Sequence, residues 1–122
     1  MQMSERLDSW DKVEAFALTL PGTEAAISWR MPTVKVAANQ RGFVWTGREA
    51  ETSFAIWTAD VGEAEMLMET DPDTFWQAPH YAGSKAVLVR YSSDDPERVR
   101  YVIEQAYELA KSQKPVKPRK KK

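Results

Sequence analysis

The 122 residues include no cysteine and a single histidine. The first absence excludes disulfides, thiolate metal sites and a cysteine nucleophile. The second leaves His80 without the two or three imidazoles, or the neighbouring carboxylates, of a histidine-based metal site. The glycines are few and scattered, at Gly22, Gly42, Gly47, Gly62 and Gly83. They make no phosphate-cradling loop, and no Gly-x-Ser-x-Gly elbow occurs. No segment approaches the ~18 consecutive apolar residues of a membrane span. The opening Met1-Gln2-Met3-Ser4-Glu5-Arg6 lacks the apolar stretch of a secretory signal. The expectation is a cytoplasmic, soluble, non-enzymatic chain with no cofactor, no metal and no membrane contact.

What is present is an ordinary globular composition, 43% hydrophobic and 29% charged. The length suits one domain with its own core. The net charge of −1 conceals a division. Residues 111–122 carry seven basic side chains and no acidic one, while residues 1–110 carry ten basic and eighteen acidic, a balance of −8. The division into an acidic body, residues 1–113, and a basic tail, residues 114–122, follows from this and from Lys114-Pro115. The tail has nothing to bury and is expected to be disordered.

Hydrophobic periodicity supplies the elements. Trp10, Val13, Ala17 and Leu20 recur at helical spacing after Asp8-Ser9, and Pro21-Gly22 closes that helix. Four strand-like segments follow, 25–29, 33–38, 43–46 and 53–58, joined by short turns that favour an antiparallel meander. Asp60 and Glu63 have capping-box spacing before a helix over 61–69. The stretch 75–83 has no clear period and reads as loop. Lys85 to Tyr91 alternates as a last strand. Asp95-Pro96 then starts the clearest helix, with Val99, Val102, Ile103, Ala106 and Ala110 on one face. Strands in a run with flanking helices make an α+β fold, an antiparallel sheet with helices on one face.

Three sets of residues are candidates for function. The carboxylates Glu63, Glu65, Glu69, Asp71 and Asp73, and Glu5, Asp8, Asp11 and Glu14, either collect hard cations or form solvated faces; no calcium-loop spacing is present, which favours the second. Trp29, Trp45, Trp76 and Tyr81 sit at strand ends and loops and either line a ligand pocket or pack inside, while Trp10 and Trp57 read as core. Arg41 and Arg48 occupy the two loops flanking the third strand, with Arg30 and Lys35 nearby. They serve as wings on a nucleic-acid backbone or blunt loops and sheet edges.

Several segments, in order, resemble the MmcQ/YjbR family: Leu18-Thr19-Leu20-Pro21-Gly22-Thr23-Glu24, Trp29-Arg30-Met31-Pro32-Thr33-Val34-Lys35-Val36, Gly42-Phe43-Val44, Pro79-His80-Tyr81 and Ile103-Glu104-Gln105-Ala106-Tyr107-Glu108-Leu109. Arg30 stands where that family commonly has glycine, and Val34 where an aromatic is common. The resemblance implies a bacterial protein with a CyaY/frataxin-like fold, a sheet packed against an N-terminal and a C-terminal helix. It implies DNA binding through a double wing, and it brings no catalytic residues. The expectation is therefore a DNA-binding domain with Arg30, Lys35, Arg41 and Arg48 on the body and Lys117, Arg119, Lys120 and Lys121 on the tail. Roughly six phosphates neutralised would make its affinity fall steeply with salt. The alternative is a small-molecule or protein-binding module with a pocket of Trp29, Trp45, Trp76 and Tyr81. A third reading is a frataxin-like metal carrier using the acids of the first helix.

Overall fold

In the computed structural model, which describes residues 6–28 and 30–115, three helices lie on one face of a six-stranded antiparallel sheet. The chain runs α1 (Trp10–Leu18), β1 (Thr23–Ser28), β2 (Met31–Val36), β3 (Arg41–Trp45), β4 (Ser53–Trp57), α2 (Val61–Thr70), β5 (Phe75–Trp76), a 3₁₀ turn (Pro79–Tyr81), β6 (Ala86–Arg90) and α3 (Pro96–Ser112). The spatial order is β1-β2-β3-β4-β6-β5. The expected α+β architecture is what forms. One element departs from expectation: the stretch read as loop contains β5 and the 3₁₀ turn. Two residues are too few to show a period, yet Phe75 and Trp76 pair with Val89 and Leu88 and make the outer strand.

Capping fixes the helix starts. The Ser9 side chain accepts from the Lys12 amide at 3.3 Å, and Asp60 Oδ1 accepts from the Glu63 amide at 2.8 Å. The Glu63 carboxylate reaches back to the Ala59 amide at 2.7 Å, one residue before its usual partner in a capping box. At α3, Asp95 Oδ1 accepts from the Arg98 amide at 3.1 Å, with Pro96 at the first helical position.

Strand parity fills the helix-side core. Val34 and Val36, Phe54 and Ile56, Val87 and Val89, and Phe75 meet Val13 and Ala17 of α1 and the buried stripe of α3. A bulge in β3 adds to it: Val34 pairs with Val44 and Lys35 with Gly42, so Phe43 is an extra residue. Phe43 and Val44 are both fully buried, and Phe43 meets Tyr107 edge-on at 5.6 Å. The opposite face carries a smaller core in which Ala55, Ala78 and Leu88 lie beneath Trp45, Trp76 and Tyr81.

Candidate basic site at one end of the sheet

Strand direction separates the arginines that the sequence suggested as a pair. Loops flanking one antiparallel strand emerge at its opposite ends. The β1–β2 turn and the loop after β3 share one end, where the Thr46 amide donates to the Pro32 carbonyl at 3.1 Å. Arg30 and Arg48 are exposed there. Arg41 begins β3 at the other end, beside the 37–40 turn. Arg41 and Arg48 therefore stand at opposite ends of β3 rather than side by side as adjacent wings. Lys35 is committed elsewhere: its ammonium lies 3.5 Å from Glu24 and donates to the Gln40 side chain. Lys117, Arg119, Lys120 and Lys121 lie outside the described residues.

The Arg41 end gathers Arg41, Lys85 and the start of the basic segment, with Glu24 paired to Lys35 nearby. Asn39, buried to 7% exposure, organises it. Its Nδ2 donates to the carbonyls of Ala110 at 2.7 Å and Gln113 at 3.1 Å, and its Oδ1 accepts from the Arg41 amide at 3.1 Å. A turn residue thus caps the C-terminal end of α3 and sets Arg41 beside it. Arg41 Nε donates to the Lys114 carbonyl at 2.7 Å, so the start of the basic segment is fastened to the sheet. Lys85 comes to the same end because its carbonyl accepts from both the amide and the hydroxyl of Thr58, at 2.9 and 2.8 Å. Arg41, Gly42, Trp57, Thr58 and Lys85, with the last turn of α3, enclose a recess of about 250 Å³. Lys85 and Lys114 form no ion pair among the described residues. At the Arg48 end, by contrast, Glu49 and Glu51 share the loop.

The aromatic candidates gather, but not around a cavity. Trp45 Nε1 donates to Tyr81 Oη at 3.0 Å, and Trp76 Nε1 donates to Ser53 Oγ at 3.0 Å. The Arg90 guanidinium covers Trp76 at 4.8 Å. Trp29 lies outside the described residues. Trp45, Trp76 and Tyr81 pack the small far-face core and line none of the three main clefts. Trp57, expected in the core, is instead 42% exposed. It follows Phe54 and Ile56 in β4 with the opposite parity, so it leaves the helix side and leans on Trp45 with ring centroids 4.9 Å apart.

A cleft of about 530 Å³ opens between α2 and α3. Its walls include Met66 and Tyr101, 51% and 58% exposed, over a floor of Ile56, Leu67 and Val102. The carboxylates do not converge. Asp8 pairs with Lys12 at 3.0 Å, and that hydrogen bond holds its carboxyl below the usual range. Among the described residues no three acidic or imidazole side chains stand close enough to share a metal ion. His80 lies 3.9 Å from Glu49, with its ring tilted against Tyr81 at 4.2 Å between centroids. Among the described residues no helix is long and apolar enough to cross a membrane.

Comparison with known proteins agrees with the fold. The sequence model of the YjbR family matches residues 18–109, and the chain belongs to that family. No curated protein matches it. The crystal structure of protein DR2400 of Deinococcus radiodurans is similar, with a TM-score of 0.74 at 14% identity over 91% of this chain and 84% of that one. At that identity the likeness is one of fold.

Proposed function

We propose that this YjbR-family chain is a non-enzymatic, cytoplasmic nucleic-acid-binding domain that takes the phosphate backbone on the Arg41–Lys85–Lys114 end of its sheet. The observation that carries this reading is the bond from Arg41 Nε to the Lys114 carbonyl. It places the origin of the basic segment, which continues in sequence through Lys117, Arg119, Lys120, Lys121 and Lys122, beside two basic side chains of the body. Cations so grouped act together on neighbouring phosphates, whereas residues 1–110 as a whole, with a balance of −8 that already counts Arg41 and Lys85, repel a polyanion. The acidic remainder thus restricts contact to one end.

The test is fluorescence polarisation with labelled DNA at low salt. It compares the full chain, a chain ending at Pro115, the pair Arg41→Gln with Lys85→Gln, and the pair Arg30→Gln with Arg48→Gln. Weakening by truncation and by the Arg41/Lys85 pair, with little change from the Arg30/Arg48 pair, supports the reading. Absence of binding by the full chain, or weakening only by the Arg30/Arg48 pair, defeats it.

The α2–α3 cleft favours a second reading, a binding module for an apolar ligand or peptide. Its volume lies in the range of ligand sites, and Met66 and Tyr101 leave apolar surface in solvent. Tyr101→Glu would abolish such binding and leave the basic end unaffected.

A further inference from the structure

The rim of the basic recess includes a tryptophan, Trp57, whose exposure core packing does not explain. Trp57 ends β4 in register with Ala86, immediately after Lys85 in the neighbouring strand. One side of its ring rests on Trp45, which is itself held by the hydrogen bond to Tyr81 and an edge contact at 6.4 Å. The ring is therefore fixed in position from the sheet side, while 42% of the residue faces solvent. The indole N–H groups of Trp45 and Trp76 are both bonded, at 3.0 Å each, whereas Trp57 Nε1 has no partner among the described residues. Trp57 shares its recess with Arg41 and Lys85.

A half-exposed indole fixed at the same end of the sheet as two cations suits an unstacked base, with the cations taking the flanking phosphates. A base within a duplex is already stacked on both faces and cannot use it. We infer that Trp57 is a stacking platform and that the nucleic acid taken by the basic end is single-stranded. The inference rests on the nucleic-acid reading of that end and adds the substrate class and the specificity residue. The stack Tyr81–Trp45–Trp57 then has a role: the far-face aromatics position the platform rather than enclosing a pocket.

The experiment measures binding of the full chain to a labelled single-stranded 15-mer and to the same sequence as a duplex, in the wild type, Trp57→Leu and Trp57→Phe. Intrinsic tryptophan emission is followed in parallel. Leucine keeps apolar contact with Trp45 and removes the ring; phenylalanine keeps a ring. The expected result is preference for the single strand by at least fivefold and quenching of tryptophan emission on binding. Trp57→Leu should weaken single-strand binding by roughly 5- to 150-fold, the range that one base–aromatic stack spans, with little effect on duplex. Trp57→Phe should retain most of the affinity and lose the quenching, even though Trp10, Trp29, Trp45 and Trp76 remain. Should Trp57→Leu prove unfolded by circular dichroism, the phenylalanine variant decides. Equal affinity for both DNA forms, or quenching undiminished in Trp57→Phe, overturns the platform while leaving phosphate binding in place. No binding to either form overturns both the platform and the reading beneath it.

Discussion

Replacing Asn39 tests whether one buried amide holds the basic end together. The side chain is 7% exposed and makes three hydrogen bonds, two donated to the last turn of α3 and one accepted from Arg41. At about 1 kcal/mol net each, Asn39→Ala removes about 3 kcal/mol. The Ala110 carbonyl limits the loss, because it still accepts from the Gln113 amide at 3.2 Å. The expected cost is therefore about 2–3 kcal/mol, which at roughly 4 °C per kcal/mol for a domain of this size lowers Tm by about 8–12 °C. Urea denaturation followed by circular dichroism reads this as a lower midpoint at unchanged slope. Asn39→Asp sharpens the test. It has nearly the same shape, but it replaces both donors with an anion facing two carbonyls and the negative end of α3. It should be less stable than Asn39→Ala at pH 7. Because the site disfavours the carboxylate, its folded pKa is raised above the usual value of about 3.9. Stability of this variant is therefore retained below that value and lost as pH rises through the folded pKa. An alanine variant within 0.5 kcal/mol of wild type, on the scale of a neutral surface substitution, or an aspartate variant as stable as the alanine one at pH 7, would refute the reasoning.

Other outcomes follow from single positions. Arg30 has a φ of 66°, the left-handed region that disfavours side chains; Arg30→Gly should raise stability by about 0.5–1 kcal/mol in urea melts, and Arg30→Val should lower it. Ile103 is fully buried under the sheet, and Ile103→Ala should cost about 2–5 kcal/mol in the same assay. Burial raises the Tyr91 phenol above its usual 10, and Asp11 adds to this. The unfolded chain therefore ionises first, so stability holds below about pH 10 and falls as pH rises through the folded value. Tyr91→Phe should lose less stability than wild type between pH 9 and about pH 11, as read by thermal melts.

Local rules carried much of the fold. The α3 stripe was legible because Val99, Val102, Ile103, Ala106 and Ala110 obey a 3.6-residue period behind a capping Asp95, and all of them are buried. Position 30, where the resemblance implies glycine, has a positive φ in the β1–β2 turn, a local reason for that residue. Other features are written in the pattern of alternation and strand direction. Parity places Trp57 on the face of Ala55, away from Phe54 and Ile56, and antiparallel direction separates Arg41 from Arg48. The remainder was not local. Asn39 reads as an ordinary turn residue, and its partner Ala110 lies 71 positions away. Lys85 joins Arg41 only through the Thr58 bonds that close β4 against β6. The pairing of Phe75 with Val89 depends on β6 being in place, which no two-residue pattern announces.

The salt dependence of single-strand binding tests the central claim most directly. The observed affinity of the full chain and of Arg41→Gln with Lys85→Gln would be measured from 25 to 300 mM monovalent salt, a span wide enough to define the slope. If both side chains contact phosphates, the logarithmic slope should become shallower by about 1.4 in the variant, at ~0.7 per phosphate released from a single strand. An unchanged slope and affinity would mean that the body contributes no phosphate contact there, and the basic end would not be the binding surface.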